Sequence, residues 1–255
     1  MSRKPEIKGA ALVTGAARRV GAELARELAE TGRAVVVHYR SHPDEAAAVV
    51  ADIERGGGRA IALRADLDDE AQCRGLVAQA FAAFPDLDVL VNNASAFRFD
   101  TLATFDKAGL AHALDSNLTA PLLLIQAFAA GLRAARGLVV NVLDQKVNFP
   151  NPDFFSYTAG KVALAGLTPT LSLALAPRIR VCGLAPGLTL PSGDQTEADY
   201  QRAAAATLTG VTSTTADLRR ALRFIVETPS FAGQNLTVDG GESLMRRPRD
   251  VAFET

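Results

Sequence analysis

Short apolar runs of β-favouring residues alternate with longer stretches of helical periodicity along the whole chain, and this alternation restricts the possible folds more than any other feature. Repeated βαβ units lay their strands side by side in one direction. The expected class is therefore α/β, a doubly wound parallel sheet flanked by helices. Seven strands are expected, at residues 10–13, 34–39, 60–63, 87–91, 138–143, 179–184 and 235–238. The first four runs are largely apolar, as suits strands covered on both faces. Helices are expected at 21–29, 43–55, 68–84, 110–132 and 155–176. The first stops near Gly32 and the second at Gly56, Gly57 and Gly58, since glycine ends a helix at little steric cost. Pro169 falls inside the last helix and is expected to bend it. With 255 residues, no internal repeat and no linker rich in Gly, Ser or Pro, the chain reads as one domain over 1–255.

A formal net charge of -1 offers no general attraction to nucleic acid or to an anionic membrane, and neither is expected as a partner. Cys73 and Cys182 lie far apart without metal-ligand spacing, so neither a disulfide framework nor a metal site is expected. Residues 1–9 are too polar for a signal peptide. No uninterrupted apolar run reaches the roughly 18 residues that span a bilayer. A cytoplasmic location is the expectation.

The first expected strand runs straight into Thr14, Gly15, Ala16, Ala17, Arg18, Arg19, Val20 and Gly21, and a helix opens there. Glycines let a backbone approach a pyrophosphate, and the N–H groups and dipole of a helix start favour its charge. The end of the second strand distinguishes the two nicotinamide dinucleotides, because sites for the non-phosphorylated form place an acidic residue there. Here the segment is His38, Tyr39, Arg40 and Ser41, and the next carboxylate is Asp44. Arg40 suits a 2'-phosphate through paired charged hydrogen bonds, which favours NADPH; a solvated surface charge is the alternative. Asp66, followed by Leu67, is placed to accept from an adenine amino group or to cap the next helix. Asn92, Asn93, Ala94 and Ser95 follow the fourth strand, at the carboxyl edge where ligands bind in open α/β sheets.

Tyr157 and Lys161 are one helical turn apart, about 5–6 Å between Cβ atoms, so they face one side. A tyrosine pKa near 10 needs a shift of roughly 3 units, about 4 kcal/mol, to approach neutrality. A neighbouring ammonium acts in that direction. Taken alone, such a pair arises by chance in many helices.

Together these residues resemble the short-chain dehydrogenase/reductase family. The Thr14 to Gly21 turn, the run Asn92 to Ala94, Asn117, the Tyr157 and Lys161 pair, and Pro186 with Gly187 occur in that family's order, from about Gly9 to Gly241. The resemblance implies a Rossmann fold and NADPH or NADP bound by the turn, the His38 to Ser41 segment, Asp66, Leu67, Asn93 to Ser95, Tyr157, Lys161, and Pro186, Gly187 and Leu188. It implies that Asn117 braces a helix bulge and holds a water in a proton relay, and that the chain forms a homotetramer. Two positions depart from the common pattern: Arg19 stands for the turn's middle glycine, and Asp144 for a serine thirteen residues before the tyrosine. A serine donates to a ketone oxygen gaining negative charge, whereas a carboxylate opposes that charge. A carboxyl group can instead accept from an amino-substituted heterocycle and pass a proton through water to a ring nitrogen.

Both departures are similar to the pteridine reductases and the related bacterial dihydrofolate and dihydromonapterin reductases. By that resemblance Phe97 stacks a pterin ring, Arg19 and Ser95 contact substrate or cofactor phosphates, and Asp144 and Tyr157 meet the substrate. Without the surrounding motif, Phe97 reads equally as a packing aromatic. Cys182, where the broad family has asparagine, and Gly160, just before the lysine, remove no reactive group. The segment 188–200 matches no pattern and is a candidate for substrate choice. The expected function is NADPH-dependent reduction of a pteridine, dihydropterin or dihydrofolate ring, a small-molecule substrate, with Tyr157 supplying the proton and Asp144 orienting the ring or relaying protons. The alternatives are a carbonyl or enone reductase of the same family, and a non-catalytic NADPH-binding sensor.

Overall fold

A computed structural model describes residues 9–191, 195–245, 247–250 and 253. Seven strands form the sheet: β1 Ala10–Val13, β2 Ala34–Tyr39, β3 Ala60–Arg64, β4 Leu87–Asn92, β5 Gly137–Val142, β6 Ile179–Pro186 and β7 Asn235–Val238. Their order is β3-β2-β1-β4-β5-β6-β7. The order turns back between β1 and β4, the point at which open α/β sheets bind ligands beyond the carboxyl ends of their strands. β1 pairs in parallel with β2 and β4, β2 with β3, and β6 with β7. Every residue of β1 and β5 is buried, as expected for strands covered on both faces. This is the expected parallel sheet with flanking helices.

The chain clusters into two compact units. One holds residues through Ala94, with Ala120–Val140 and Leu175–Arg180. Its helices are α1 Arg19–Glu30, α2 Pro43–Arg55 and α3 Glu70–Ala83, and α5 Ala120–Gly131 packs on α3. Phe81 and Phe128 stack there, with ring centroids 6.0 Å apart. A Cβ on Gly131 would fall 2.5 Å from the Phe81 ring, so the glycine lets the two helices close on these rings. The expected start of α3 at Asp68 is two residues early. Asp69 is the N-cap, accepting from the N–H groups of Ala71 and Gln72.

The second unit holds Ser95–Thr119, Asn141–Ala174 and the chain from Val181 onward. It contains α4 Lys107–Leu114, α6 Phe155–Leu175, α7 Glu197–Ala205 and α8 Thr215–Glu227. Leu143, Leu164, Ala165 and Ala185 form a buried cluster with Leu118 and Val147 against it. The continuous helix expected over 110–132 is interrupted by a π-helical turn at Asp115–Thr119. The Asn117 side chain donates to the Ala113 carbonyl at 3.0 Å, giving that acceptor a partner where the regular backbone ladder is broken.

Pro169 lies within α6, which runs through it from Phe155 to Leu175. Proline has no N–H for the Ala165 carbonyl, and Asn235 Nδ2 approaches that oxygen instead, at 3.4 Å. Helices α7 and α8 were not expected. Each begins with a reciprocal capping box, Thr196 with Asp199 and Thr214 with Asp217. β6 runs to Pro186, and α7 begins at Glu197 within the 188–200 segment, of which residues 192–194 lie outside the described residues.

Candidate active site

In the first unit, the turn after β1 is built by side chains as much as by glycine. Thr14 is buried; its hydroxyl accepts from the N–H groups of Asn93 and Ala94 at 2.9 and 3.0 Å. Asn93 Nδ2 returns bonds to the carbonyls of Thr14 and Gly15, at 2.9 and 3.1 Å. Gly15 has φ +61°, and a Cβ there would stand 3.0 Å from the Ala94 Cα. A Cβ on Gly21 would fall 2.3 Å from the Gly15 carbonyl oxygen, so only glycine fits at either place.

Arg19 has φ +53°, the left-handed region in which a non-glycine residue costs roughly 1–2 kcal/mol. That explains why a glycine is common at this position, and it shows that the arginine is held here against a backbone preference. Arg18 caps α1 without a side-chain bond, and no acidic residue lies in its first turn. The opening N–H groups of the helix are thus not taken up by a capping side chain, a fit for phosphate oxygens.

His38 is buried, and both ring nitrogens are committed. Nδ1 accepts the Gly15 N–H at 3.0 Å, which puts the proton on Nε2, 3.2 Å from the Ala65 carbonyl. Burial pushes its pKa down to about 4. Both polar atoms of the His38 ring are engaged, so its side chain holds the turn. Tyr39 is half-buried, and Arg40 and Ser41 are exposed. Arg40 faces Asp66 at 3.9 Å and Asp68 at 3.6 Å, loose pairs at an exposed site. Asp66 does not cap α3; its carboxylate accepts the Asp68 N–H at 3.2 Å. Leu67 is partly buried and its carbonyl accepts from the Cys73 thiol.

In the second unit, Asp144 directly follows β5 and Leu143. Its Oδ1 accepts the Lys146 N–H at 2.9 Å and caps the 3-10 turn Gln145–Val147, which aims Oδ2 at Tyr157. The Tyr157 hydroxyl donates to Oδ2 at 2.8 Å. Burial raises the Asp144 carboxyl above the usual range, against the pull of the Lys146 N–H and the Tyr157 hydroxyl. Lys161, one turn along α6, is 3% exposed and donates to the Val142 carbonyl at 2.7 Å. Burial brings its ammonium down to about 8.

Tyr157 differs from expectation. Burial and the adjacent Asp144 charge raise its phenol well above the ordinary value, where Lys161 was expected to lower it. The reason is geometric: Asp144 is in hydrogen-bond contact, whereas Lys161 Nζ is spent on Val142 and stands 5.8 Å from the centre of the Tyr157 ring. The phenol is therefore held in its proton-donating form.

Asn117 is fully buried and donates to the carbonyls of Ala113 and Ala96, both at 3.0 Å. Its Oδ1 is buried with no partner among the described residues, an acceptor suited to a water or hydroxyl. Gly160 permits this arrangement, since a Cβ there would lie 2.9 Å from the Asn117 Cβ. Phe97 is 46% exposed, stacks on Phe154 at 4.1 Å and meets Tyr157 edge-on at 4.7 Å. Ser95 is exposed two residues earlier. A cavity of about 290 Å³ is lined by Tyr157, Ser156, Phe99, Phe105 and Arg98. Gly187 donates to the Val238 carbonyl at 2.9 Å, beside Pro186, and the Leu188 N–H goes to Glu242 at 3.2 Å.

Sequence reasoning did not find Phe154, Lys146 or Glu242. Phe154 has φ +54° and carries Phe97 on its face, and Lys146 Nζ lies 4.7 Å from its ring. No spacing rule points to a residue that acts by backing another. Cys182 is buried and its thiol donates to the Phe231 carbonyl at 3.2 Å, a packing role. Among the described residues, no three His, Cys, Asp or Glu side chains gather where a metal ion would bind.

A family model described as short chain dehydrogenase matches residues 9–202. A solved structure of the FolM alternative dihydrofolate reductase 1 from Brucella suis, in complex with NADP, is 38% identical with a TM-score of 0.90; the match covers 94% of this chain and 97% of that one. An uncharacterized oxidoreductase of Methylorubrum extorquens is 37% identical over 73% of this chain and 75% of its own length. The 3-oxoacyl-[acyl-carrier-protein] reductase of Staphylococcus aureus is 34% identical over 74% of this chain and 76% of its own.

Proposed function

The chain belongs to the short-chain dehydrogenase/reductase family of oxidoreductases, and from that premise we propose that it reduces a pteridine, dihydropterin or dihydrofolate ring with NADPH. The observation that carries the reading is the Asp144 carboxyl at the position of the ketone-activating serine, hydrogen-bonded by Tyr157 at 2.8 Å. Likeness to a dihydrofolate reductase solved with NADP supports it.

The Gly15 to Gly21 turn, the start of α1 and Arg40 are the groups that would hold the cofactor's phosphates. The loose pairs of Arg40 with Asp66 and Asp68 are weak enough for a 2'-phosphate to displace. When bound, NADPH supplies the hydride. Tyr157 keeps its proton at neutral pH and, by donating its hydrogen bond, holds Asp144 in place; Asp144, protonated from solvent, is the group that would present a proton to a ring nitrogen and end as the carboxylate that Tyr157 supports. A buried, raised carboxyl suits this task, because it is protonated more readily than an exposed aspartate. Lys161 supplies positive charge beneath Tyr157. Phe97, backed by Phe154, offers a flat half-exposed ring against which a pterin stacks.

The direct test is NADPH oxidation with dihydrobiopterin, dihydrofolate and dihydromonapterin beside simple ketones and a 3-oxoacyl thioester. Turnover of a dihydropterin or dihydrofolate is expected. If these all fail while carbonyl compounds turn over, the reading is wrong. That second outcome is the one the Staphylococcus aureus relative favours.

A further inference from the structure

Glu242 is a buried carboxyl with no task in the chemistry above, and it joins two segments that carry site residues. It opens the 3-10 turn Glu242–Leu244 after β7 and is 6% exposed. Its oxygens serve different partners: Oε2 accepts the Leu188 N–H at 3.2 Å, and Oε1 accepts from Gln145 Nε2 at 3.3 Å. Leu188 continues from Pro186 and Gly187 at the end of β6, and Gln145 is the neighbour of Asp144. The fit is close, since a Cβ on Gly187 would stand 3.0 Å from Glu242 Oε2 and 2.7 Å from the Asp239 Cβ. Glu242 thus brackets the segment of Asp144 to the segment of Leu188.

We propose that Glu242 is a positioning residue whose ionised carboxylate holds Leu188 and Gln145 together, and whose protonation weakens that hold. The proposal rests on the reading of Asp144 and Tyr157 as reacting groups. Both partners of Glu242 are N–H donors, and a carboxylate accepts on both oxygens. Protonation turns one oxygen into a donor, so Gln145 must turn its amide over or lose its bond, and the remaining link is neutral and about half as strong.

The switch falls near neutrality. Burial pushes Glu242 up to about 7, with the Leu188 N–H opposing. Among the surrounding groups, Asp144 and Asp250 raise it and Arg247 lowers it. Asp239, on the preceding turn, is engaged by the N–H groups of Gly241 and Ser243.

Two measurements test this. In protein labelled with 15N-leucine, the Leu188 amide should shift across neutral pH with a midpoint near the Glu242 value of about 7, and Glu242→Gln should abolish the shift. In steady-state kinetics, wild-type kcat should drop about fivefold as pH falls through that midpoint, with KM little changed. Glu242→Gln keeps the shape but not the charge, so it should show the low-pH kcat throughout and no step. A Leu188 amide that does not titrate, or a step that persists in Glu242→Gln, overturns the proposal. The amide readout needs no substrate, so a titrating Leu188 in a protein that reduces no pterin leaves the bracket standing and removes the pterin reading. Pterin turnover with an unmoved Leu188 does the reverse.

Discussion

The Tyr157 hydroxyl donates to Oδ2 of Asp144 at 2.8 Å, and burial raises the pKa of both groups. The carboxyl rather than the phenol is therefore the group whose protonation is nearest to changing under mild conditions, and the pair acts as one proton-holding unit.

Replacing Asp144 with Ser removes the acceptor of that bond and restores a donor suited to a carbonyl oxygen. Reduction of a dihydropterin should fall by about a hundredfold, the scale of a lost general acid, while ketone reduction is unchanged or improved. Comparing kcat/KM of the variant and the parent on both substrate types decides it. A variant that retains pterin turnover would show that Asp144 does not handle the proton.

Lys161 loses its charge far below the usual lysine value, near 8. The ammonium is the form that can supply positive charge to Tyr157, so kcat/KM should decline as pH rises through about 8. Lys161→Arg keeps the charge throughout this range. Its activity should be lower, since the Val142 bond is reshaped, but the alkaline decline should move upward. A pH–rate profile of both proteins reads the difference.

Gly160→Ala would place a Cβ 2.9 Å from the Asn117 Cβ, closer than real side chains approach. α6 must shift or the π-helical turn must give, and overpacking of this kind costs about 1–3 kcal/mol. The thermal midpoint should drop, and kcat should drop with it because α6 carries Tyr157 and Lys161. Equal activity with a lowered midpoint would separate the packing role from the catalytic one.

His38 titrates in the folded chain near 4, below its ordinary value of 6.5. Between those values the unfolded chain binds the extra proton, so stability due to His38 is present above about 6.5 and is lost as pH falls toward 4. The full shift corresponds to at most about 3 kcal/mol. Glu242, raised above its ordinary value, has the opposite slope through part of this window, so the comparison must be with a variant. Denaturant unfolding of His38→Gln across that range should show a flatter acid limb than the parent.

Much of the scaffold was legible because burial leaves a direct mark on composition. β1 and β2 begin and end where their strands were expected, in runs that are buried almost throughout. The capping boxes at Thr196 and Thr214 were equally readable and would have located α7 and α8. The π-helical turn had no such mark. Its Asn117 finds partners at Ala113 and at Ala96, a residue 21 positions away.

The candidate site divides in the same way. Spacing along one helix put Tyr157 and Lys161 on one face, and the Asp144 replacement was visible as a change of residue type. The direction of the Tyr157 shift depended first on burial and then on which charge stood closest, and only folding decided that the hydroxyl would be buried against Asp144 while Lys161 turned to Val142. Nothing in the linear spacing likewise showed that the two ring nitrogens of His38 would bond to Gly15 and Ala65 and hold the turn. The sequence alone determined the order of strands and helices and the kinds of groups available, since these follow from local periodicity and residue chemistry. Tertiary structure decided which groups face each other and what burial does to their protons, because hydrogen bonding and desolvation depend on distances that no linear spacing contains.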